Sequence, residues 1–286
     1  MKKITRRGFI HGSVGALAGA VVMGRSGFGA GRTGLEERVE GRFELGLASY
    51  TFREFDLAAA LAMAGRVGLV RIAVKSVHLP LDSSEAEIRA AVAKIRAAGL
   101  VPYGCGVVYM TTEDEVDRAF AYARAGGMEV IIGVPDHELL GRVERKVRET
   151  GIKLAVHNHG PGDLLYPTPA SILERIRNLD PRIGVCLDIG HCRRSGIDPT
   201  EAAVACGKRL LDVHLKDVTA PTKDGGPVEA GRGVIDLPRF LRTLVAMDYR
   251  AAAAFEYEKD GRDPLPGLAE SVGYVRGVLA AQETPP

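Results

Sequence analysis

Ala155-Val156-His157-Asn158-His159, Cys186-Leu187-Asp188-Ile189-Gly190-His191, Asp212-Val213-His214-Leu215-Lys216 and Ala254-Phe255-Glu256-Tyr257-Glu258 are the four stretches whose reading decides the fold. Each is a short apolar run that ends on imidazole or carboxylate, groups that bind divalent metals through nitrogen and oxygen. They follow one another at the spacing of a strand plus a helix. Residues so far apart in sequence meet only if their strands lie side by side and close into a ring. A single constraint thus predicts a fold and a metal site together.

Working outward, the same alternation runs from Arg42 to the C-terminal region. Apolar runs begin near Glu44, Leu69, Leu100, Met128, Ile152, Ile183, Leu210 and Ala251. Helical patterns lie near 56–66, 84–98, 113–125, 138–150, 169–178, 199–208, 237–247 and 266–281. Ser84 with Glu87, and Thr112 with Glu115, read as capping boxes at two helix starts. Strand-then-helix units give a parallel sheet, and eight of them close a (β/α)8 TIM barrel in one α/β domain. A doubly wound open sheet is the competing architecture, but no Gly-x-Gly-x-x-Gly follows the first strand.

Alternation along a strand tells which side chains face the barrel axis. In the sixth strand Gly184, Cys186 and Asp188 oppose Val185, Leu187 and Ile189. In the seventh, Asp212, His214 and Lys216 oppose Leu211, Val213 and Leu215, and in the eighth Ala252, Ala254, Glu256 and Glu258 oppose Phe255 and Tyr257. The bulky apolar faces pack on helices, so the polar faces turn inward. The polar residues gather at the C-terminal strand ends, where barrel enzymes keep their chemistry.

The 286 residues, 46% hydrophobic and 26% charged, suit a soluble enzyme with a large core. A formal net charge of +2, with no basic run beyond the N-terminus, argues against nucleic-acid binding. Cys105, Cys186, Cys192 and Cys206 form no Cys-x-x-Cys pair and read as packed thiols. Residues 1–36 read as an export signal and linker, and 37–286 as the barrel. Lys2, Lys3, Arg6 and Arg7 precede an apolar, small-residue stretch from Ser13 to Met23, and Thr5-Arg6-Arg7-Gly8-Phe9-Ile10 resembles a twin-arginine signal. The alternative is an uncleaved anchor or an ordinary secretory signal, but the stretch is shorter than the about 20 residues of a spanning helix. The expected location is therefore periplasmic or otherwise extracytoplasmic, with no stable membrane span after signal removal.

Asp188, His214 and Glu256 form a mixed oxygen and nitrogen ligand set suited to Mn²⁺, Mg²⁺, Co²⁺ or Zn²⁺, with His157 and His159 on the fifth strand nearby. Burying so many ionisable groups without a cation costs several kcal/mol each, roughly. With Leu-Asp-Ile-Gly-His, Val-His-Leu-Lys-Asp and Phe-Glu-Tyr-Glu in place, the chain resembles the xylose isomerase-like TIM-barrel superfamily of sugar isomerases, epimerases and endonuclease-IV-type proteins over residues 43–281. The resemblance implies that Asp188, His214 and Glu256 are metal ligands and that His191 contacts substrate oxygens. It also implies that Gly231-Arg232-Gly233 forms a loop over the site, with Arg232 as a substrate contact.

One departure from that pattern matters. Sugar epimerases of the superfamily carry a metal-binding glutamate on the fifth strand, and the matching position here reads as Ala155, with His157 and His159 following on the same face. Either histidine can complete the metal shell. The His-Asn-His run is similar to a subgroup related to inosose dehydratases and enzymes of 3-keto sugars. Lys75 with His78 near the end of the second strand are further candidates for substrate binding, and Lys216 and Glu258 for proton transfer alongside Glu256.

The expected function is divalent-metal-dependent isomerisation or epimerisation of a sugar or glycoside through proton abstraction beside a carbonyl. A lyase or hydratase acting on a keto-glycoside shares the same first step. Apurinic-site endonuclease chemistry needs more ligands and a basic face, and a non-catalytic sugar-binding barrel would not keep the ligands. Homo-oligomer formation is left open. Replacing both Arg6 and Arg7 by lysine should hold the precursor in the cytoplasm and leave activity in vitro unchanged. Fractionation of expressing cells checks this, and normal periplasmic accumulation would rule the route out.

Overall fold

A computed structural model describes residues 43–282, so the segment read as an export signal, and its boundary at residue 36, lie outside the described residues. Eight strands close a parallel barrel: β1 (Glu44–Ala48), β2 (Arg71–Val74), β3 (Val101–Met110), β4 (Val130–Pro135), β5 (Lys153–His157), β6 (Ile183–Asp188), β7 (Leu210–Leu215) and β10 (Ala252–Phe255). β1 pairs with both β2 and β10, which excludes the open doubly wound sheet. Between Asp217–Val218 (β8) and Pro227–Val228 (β9) a small antiparallel pair follows the seventh barrel strand.

The crossovers are α1 (Leu57–Arg66), α2 (Glu85–Ala97), α3 (Glu113–Gly126), α4 (Leu140–Thr150), α5 (Pro169–Ile176), α6 (Ile189–Arg194), α7 (Pro199–Cys206), α8 (Leu237–Ala246) and α9 (Pro264–Ala281). The capping boxes at Ser84–Glu87 and Thr112–Glu115 are both formed. None of the helices among the described residues is long and apolar enough to cross a membrane.

Side-chain alternation splits the core in two. Ala48, Ala73, Tyr103, Ile132, Ala155, Cys186, Ala252 and Ala254 fill the barrel interior. Val185, Leu187, Val213 and Phe255, one residue out of phase, pack with helical residues such as Ile95, Phe120, Phe240 and Leu244. The inward polar residues read from the sequence therefore stand on the axial side. All four cysteines are free and buried.

Register then sets the heights of the polar groups. His157 pairs with Cys186, Asp188 with His214, and His214 with Ala254. Glu256 lies just past β10, and its N–H donates to the Leu215 carbonyl at 3.1 Å, extending the ladder by one step. Two features are absent from the sequence reading, the hairpin of β8 and β9 and the six-residue helix α6.

The loop after β9 is shaped by Asp217, a buried carboxylate. It accepts N–H bonds from Val218 at 2.9 Å, Gly231 and Gly233 at 3.0 Å, and Ile235 at 3.2 Å. A Cβ at Gly233 would run into the Asp217 carboxylate, so only glycine lets the backbone come this close. Asp217→Ala strips four donors of their partner and should cost about 3 kcal/mol or more. Urea denaturation checks this, and a loss below about 1 kcal/mol would contradict the organising role.

Candidate metal centre

Four side chains from four adjacent strands converge at the C-terminal mouth. His157 ends β5, Asp188 ends β6, His214 is on β7 and Glu256 follows β10. One ligand atom from each lies within 4.8 Å of all the others, and all four residues are buried. His157 Nε2 stands 3.2 Å from His214 Nδ1 and 3.6 Å from Asp188 Oδ2, and His214 Nδ1 stands 3.2 Å from Glu256 Oε2. Ligands about 2.0–2.2 Å from one tetrahedral centre lie about 3.3–3.6 Å apart, so the spacing fits a single small cation.

Asp188 divides its oxygens. Oδ1 accepts the His191 N–H at 2.7 Å and caps α6, while the buried Oδ2 has no hydrogen-bond partner. Lys216 Nζ is 3.1 Å from that oxygen, an ion pair without the direction of a hydrogen bond. Asn158 clamps the same strand end, accepting the Asp188 N–H at 3.0 Å and donating to the Asp188 carbonyl at 3.1 Å. Helix α6 begins where the ligand sits because the ligand is its cap.

Lys216 stands among three carboxylates. Its ammonium lies 2.9 Å from Glu256 Oε2 and 2.8 Å from Glu258 Oε2, besides Asp188. Its stem packs on Gly190, where a Cβ would meet Lys216 Cγ at 2.8 Å. Three formal negative charges against one positive leave the cluster at −2, the charge a divalent cation balances. The donor set, the spacing and an Asp188 oxygen that accepts no hydrogen bond all fit such an ion.

The protonation states follow from burial and neighbours. Burial pushes His157 down to about 3, so its ring is a neutral ligand at ordinary pH. Burial likewise lowers His159 and His191. Burial opposes the charged form of His214, but the Glu256 carboxylate outweighs it and raises the ring above its usual value. Asp188 and Glu256 are held well below the carboxylate range against burial, Asp188 by His191 and Lys216, Glu256 by Lys216 and His214. Lys216 is raised well above its ordinary value, because its three carboxylates overcome the burial that disfavours its charge. These carboxylates favour the charged ammonium, which runs against the expectation of a base with a lowered pKa at this position.

Other expectations are corrected by geometry. Of the two fifth-strand histidines the structure brings in His157, since β5 ends there. His159 lies outside the ligand set, its Nε2 paired with the Tyr109 hydroxyl at 2.9 Å. Ala155 is an interior packing residue one pair below His157. His78 is buried with both ring nitrogens taken, Nδ1 by Ser49 Oγ at 2.9 Å and Nε2 by the Phe52 carbonyl at 3.2 Å, so it has nothing left for a substrate. Arg232 is exposed and held by Glu270 on α9, with Nη2 at 2.9 Å from Oε2.

The remaining candidates stay at the mouth. His191 Nε2 is 3.9 Å from Asp188 Oδ2, and its Nδ1 is 3.4 Å from Arg194. Glu258 is the most exposed of the Lys216 carboxylates, at 27%. Lys75 Nζ donates to the Val107 carbonyl at 2.8 Å. Sequence reasoning missed Asn158, Asp217 and Tyr109. Asn158 sat inside a motif, between the two histidines, and Asp217 closed Val-His-Leu-Lys-Asp, while Tyr109 lay in none. A cavity of about 750 Å³ opens at the opposite, N-terminal end, lined by Arg71, Tyr103, Lys153 and Tyr249, and touches none of the ligands.

Comparison with known proteins matches residues 138–278 to a family described as xylose isomerase-like TIM barrel, a stretch containing all four candidate ligands. A rhizopine catabolism protein, MocC of Rhizobium meliloti, is 28% identical over 45% of this chain, and the match spans 44% of its own length. The IOLI protein, described with a binding zinc atom, superposes with a TM-score of 0.67 at 16% identity, covering 85% of this chain and 99% of its own. A D-allulose 3-epimerase from Methylomonas sp. superposes with a TM-score of 0.67 at 15% identity, over 83% and 98% of the two chains. At these identities the solved structures establish the fold.

His157→Ala, Asp188→Asn, His214→Ala and Glu256→Gln should each weaken metal binding by more than about 100-fold, the limit for outer partners, whereas His159→Ala should retain it. Affinity should fall about tenfold per pH unit once the pH drops below the raised His214 value, because the proton and the ion compete for one ring. His157, at about 3, adds no competition near neutrality. Equilibrium dialysis of Zn²⁺ and Mn²⁺ against pH reads both, and full occupancy in all four variants would refute the site.

Proposed function

We propose that this chain, a xylose isomerase-like TIM barrel, is a divalent-metal-dependent enzyme that moves a proton at the carbon beside the carbonyl of a sugar or glycoside. The observation that carries this reading is the buried set of His157, Asp188, His214 and Glu256 beneath an ion pair, Glu258 with Lys216, at the mouth. A divalent ion held by these four side chains would supply Lewis acidity, which would make the C–H beside a carbonyl more acidic.

The chain's own residues do the rest. Glu258 takes the proton, since its carboxylate is reachable from the mouth and belongs to none of the four ligands. Lys216, 2.8 Å away, holds that carboxylate in place and keeps a positive charge beside the reacting carbon. His191, kept neutral by burial, offers a ring nitrogen to a substrate hydroxyl. The buried floor excludes water, which strengthens each of these interactions.

Isomerisation and elimination share this step, and His157 favours outcomes that need a base on one side only. A ligated imidazole is a poor base, so the fifth strand offers no second carboxylate for opposite-face proton return. A carbon–oxygen lyase or hydratase acting on a keto-glycoside is therefore the second reading. The epimerase and the zinc-binding barrel among the similar structures support a metal-assisted sugar chemistry in general. Export through the twin-arginine route, which carries folded proteins, suits an enzyme loaded with metal before it leaves the cytoplasm.

The test is a screen of keto-sugars and keto-glycosides in D₂O with metal-loaded protein. Solvent deuterium should enter beside the carbonyl, and Glu258→Gln should slow this by about 10²- to 10⁴-fold while metal remains bound. Metal binding without exchange or turnover would point to a binding protein. Efficient C3-epimerisation of a free ketohexose that survives Glu258→Gln would overturn the base assignment.

A further inference from the structure

Lys75 has no part in that chemistry, yet it stands at the same mouth. Ala73 belongs to the packed interior, so alternation turns Lys75, two residues on, toward the barrel axis. Its ammonium donates to the Val107 carbonyl at 2.8 Å and lies 5.5 Å from the centre of the Tyr50 ring. The Arg53 guanidinium lies 5.0 Å from the same ring and donates to main-chain carbonyls, Tyr50 at 3.5 Å and Glu258 at 3.2 Å. Among the described residues neither cation has a carboxylate within ion-pair distance, whereas Lys216 has three.

Two half-buried positive charges on one aromatic ring, without a counter-ion, are costly unless something else supplies the anion. Burial lowers the Lys75 pKa, and the anion whose field reaches it is Glu256. That carboxylate already belongs to the ligand set, whose formal −2 a divalent ion cancels. With the ion in place, Lys75 and Arg53 leave the mouth positive.

We propose that Lys75, backed by Arg53 on the Tyr50 ring, forms a subsite for a carboxylate on the substrate, so that the preferred substrates are sugar acids rather than neutral sugars. This rests on the reading of the mouth as a sugar-processing site. A lysine ammonium with one hydrogen already committed suits a monoanion. A phosphate dianion is usually met by several N–H groups, a helix N-terminus or a free guanidinium fork, and Arg53 is committed to carbonyls.

The test uses Co²⁺-loaded protein and reads perturbation of the metal absorption by D-gluconate, D-glucitol and D-glucitol 6-phosphate. Gluconate should bind about 10- to 100-fold more tightly than glucitol, the range of one charge-assisted hydrogen bond. Lys75→Met should abolish that preference and leave glucitol affinity unchanged, which also reports that the variant is folded, and Lys75→Arg should restore it. A preference that persists in Lys75→Met, equal weakening of all three probes, or tighter binding of the phosphate than of gluconate would each overturn the subsite. Failure of the proton-exchange reading shows separately, as absent deuterium incorporation with the gluconate preference intact.

Discussion

The structure depends on how three carboxylates and one ammonium share a nearly water-free space at the end of a closed barrel. Asp188, Glu256 and Glu258 all reach Lys216, and two of the three oxygens it contacts also face His157 and His214. Desolvating such groups is expensive unless their charges cancel, and Lys216 cancels only one. A divalent ion would close the balance. The ends of β5, β6, β7 and β10 each hold one group where such an ion would reach it.

That holding is done by elements with other duties. Asp188 is at once the last residue of β6, the cap of α6 and a candidate ligand, so helix, strand and site share one carboxylate. Asn158 ties the ends of β5 and β6 through both main-chain groups of Asp188. Gly190 leaves room for the Lys216 stem. Small residues in the interior, Ala48, Ala73, Ala155, Ala252 and Ala254, leave the axial space beneath the polar floor to Tyr103, Val130 and Ile132. The barrel is packed below and charged above, which separates stability from chemistry.

How much of this was legible in the sequence follows from the range of the forces involved. A two-residue period is local, so the inward faces of Cys186 and Asp188, of His214 and Lys216, and of Ala254 and Glu256 could be read from the chain alone. The choice between His157 and His159 could not, because it depends on where β5 stops and on Tyr109, fifty residues away, engaging the second ring. His78 looked available until Ser49 and the Phe52 carbonyl, from the first strand's end, took both nitrogens. Lys216 looked like a tunable base, yet its partners come from two other strands and fix its charge. Helix α6 escaped notice because six residues with a glycine near the start carry too little periodicity, and its signal is the cap rather than the pattern.

One divalent ion should sit among the two imidazoles and two carboxylates of His157, His214, Asp188 and Glu256. X-ray absorption at the zinc edge of the zinc-loaded protein tests it directly. One zinc per chain is expected, with two imidazole nitrogens and carboxylate oxygens at about 2.0–2.2 Å, and loss of one imidazole in His157→Ala but none in His159→Ala. A sulfur neighbour at about 2.3 Å from Cys186, or an imidazole lost in His159→Ala instead, would contradict it.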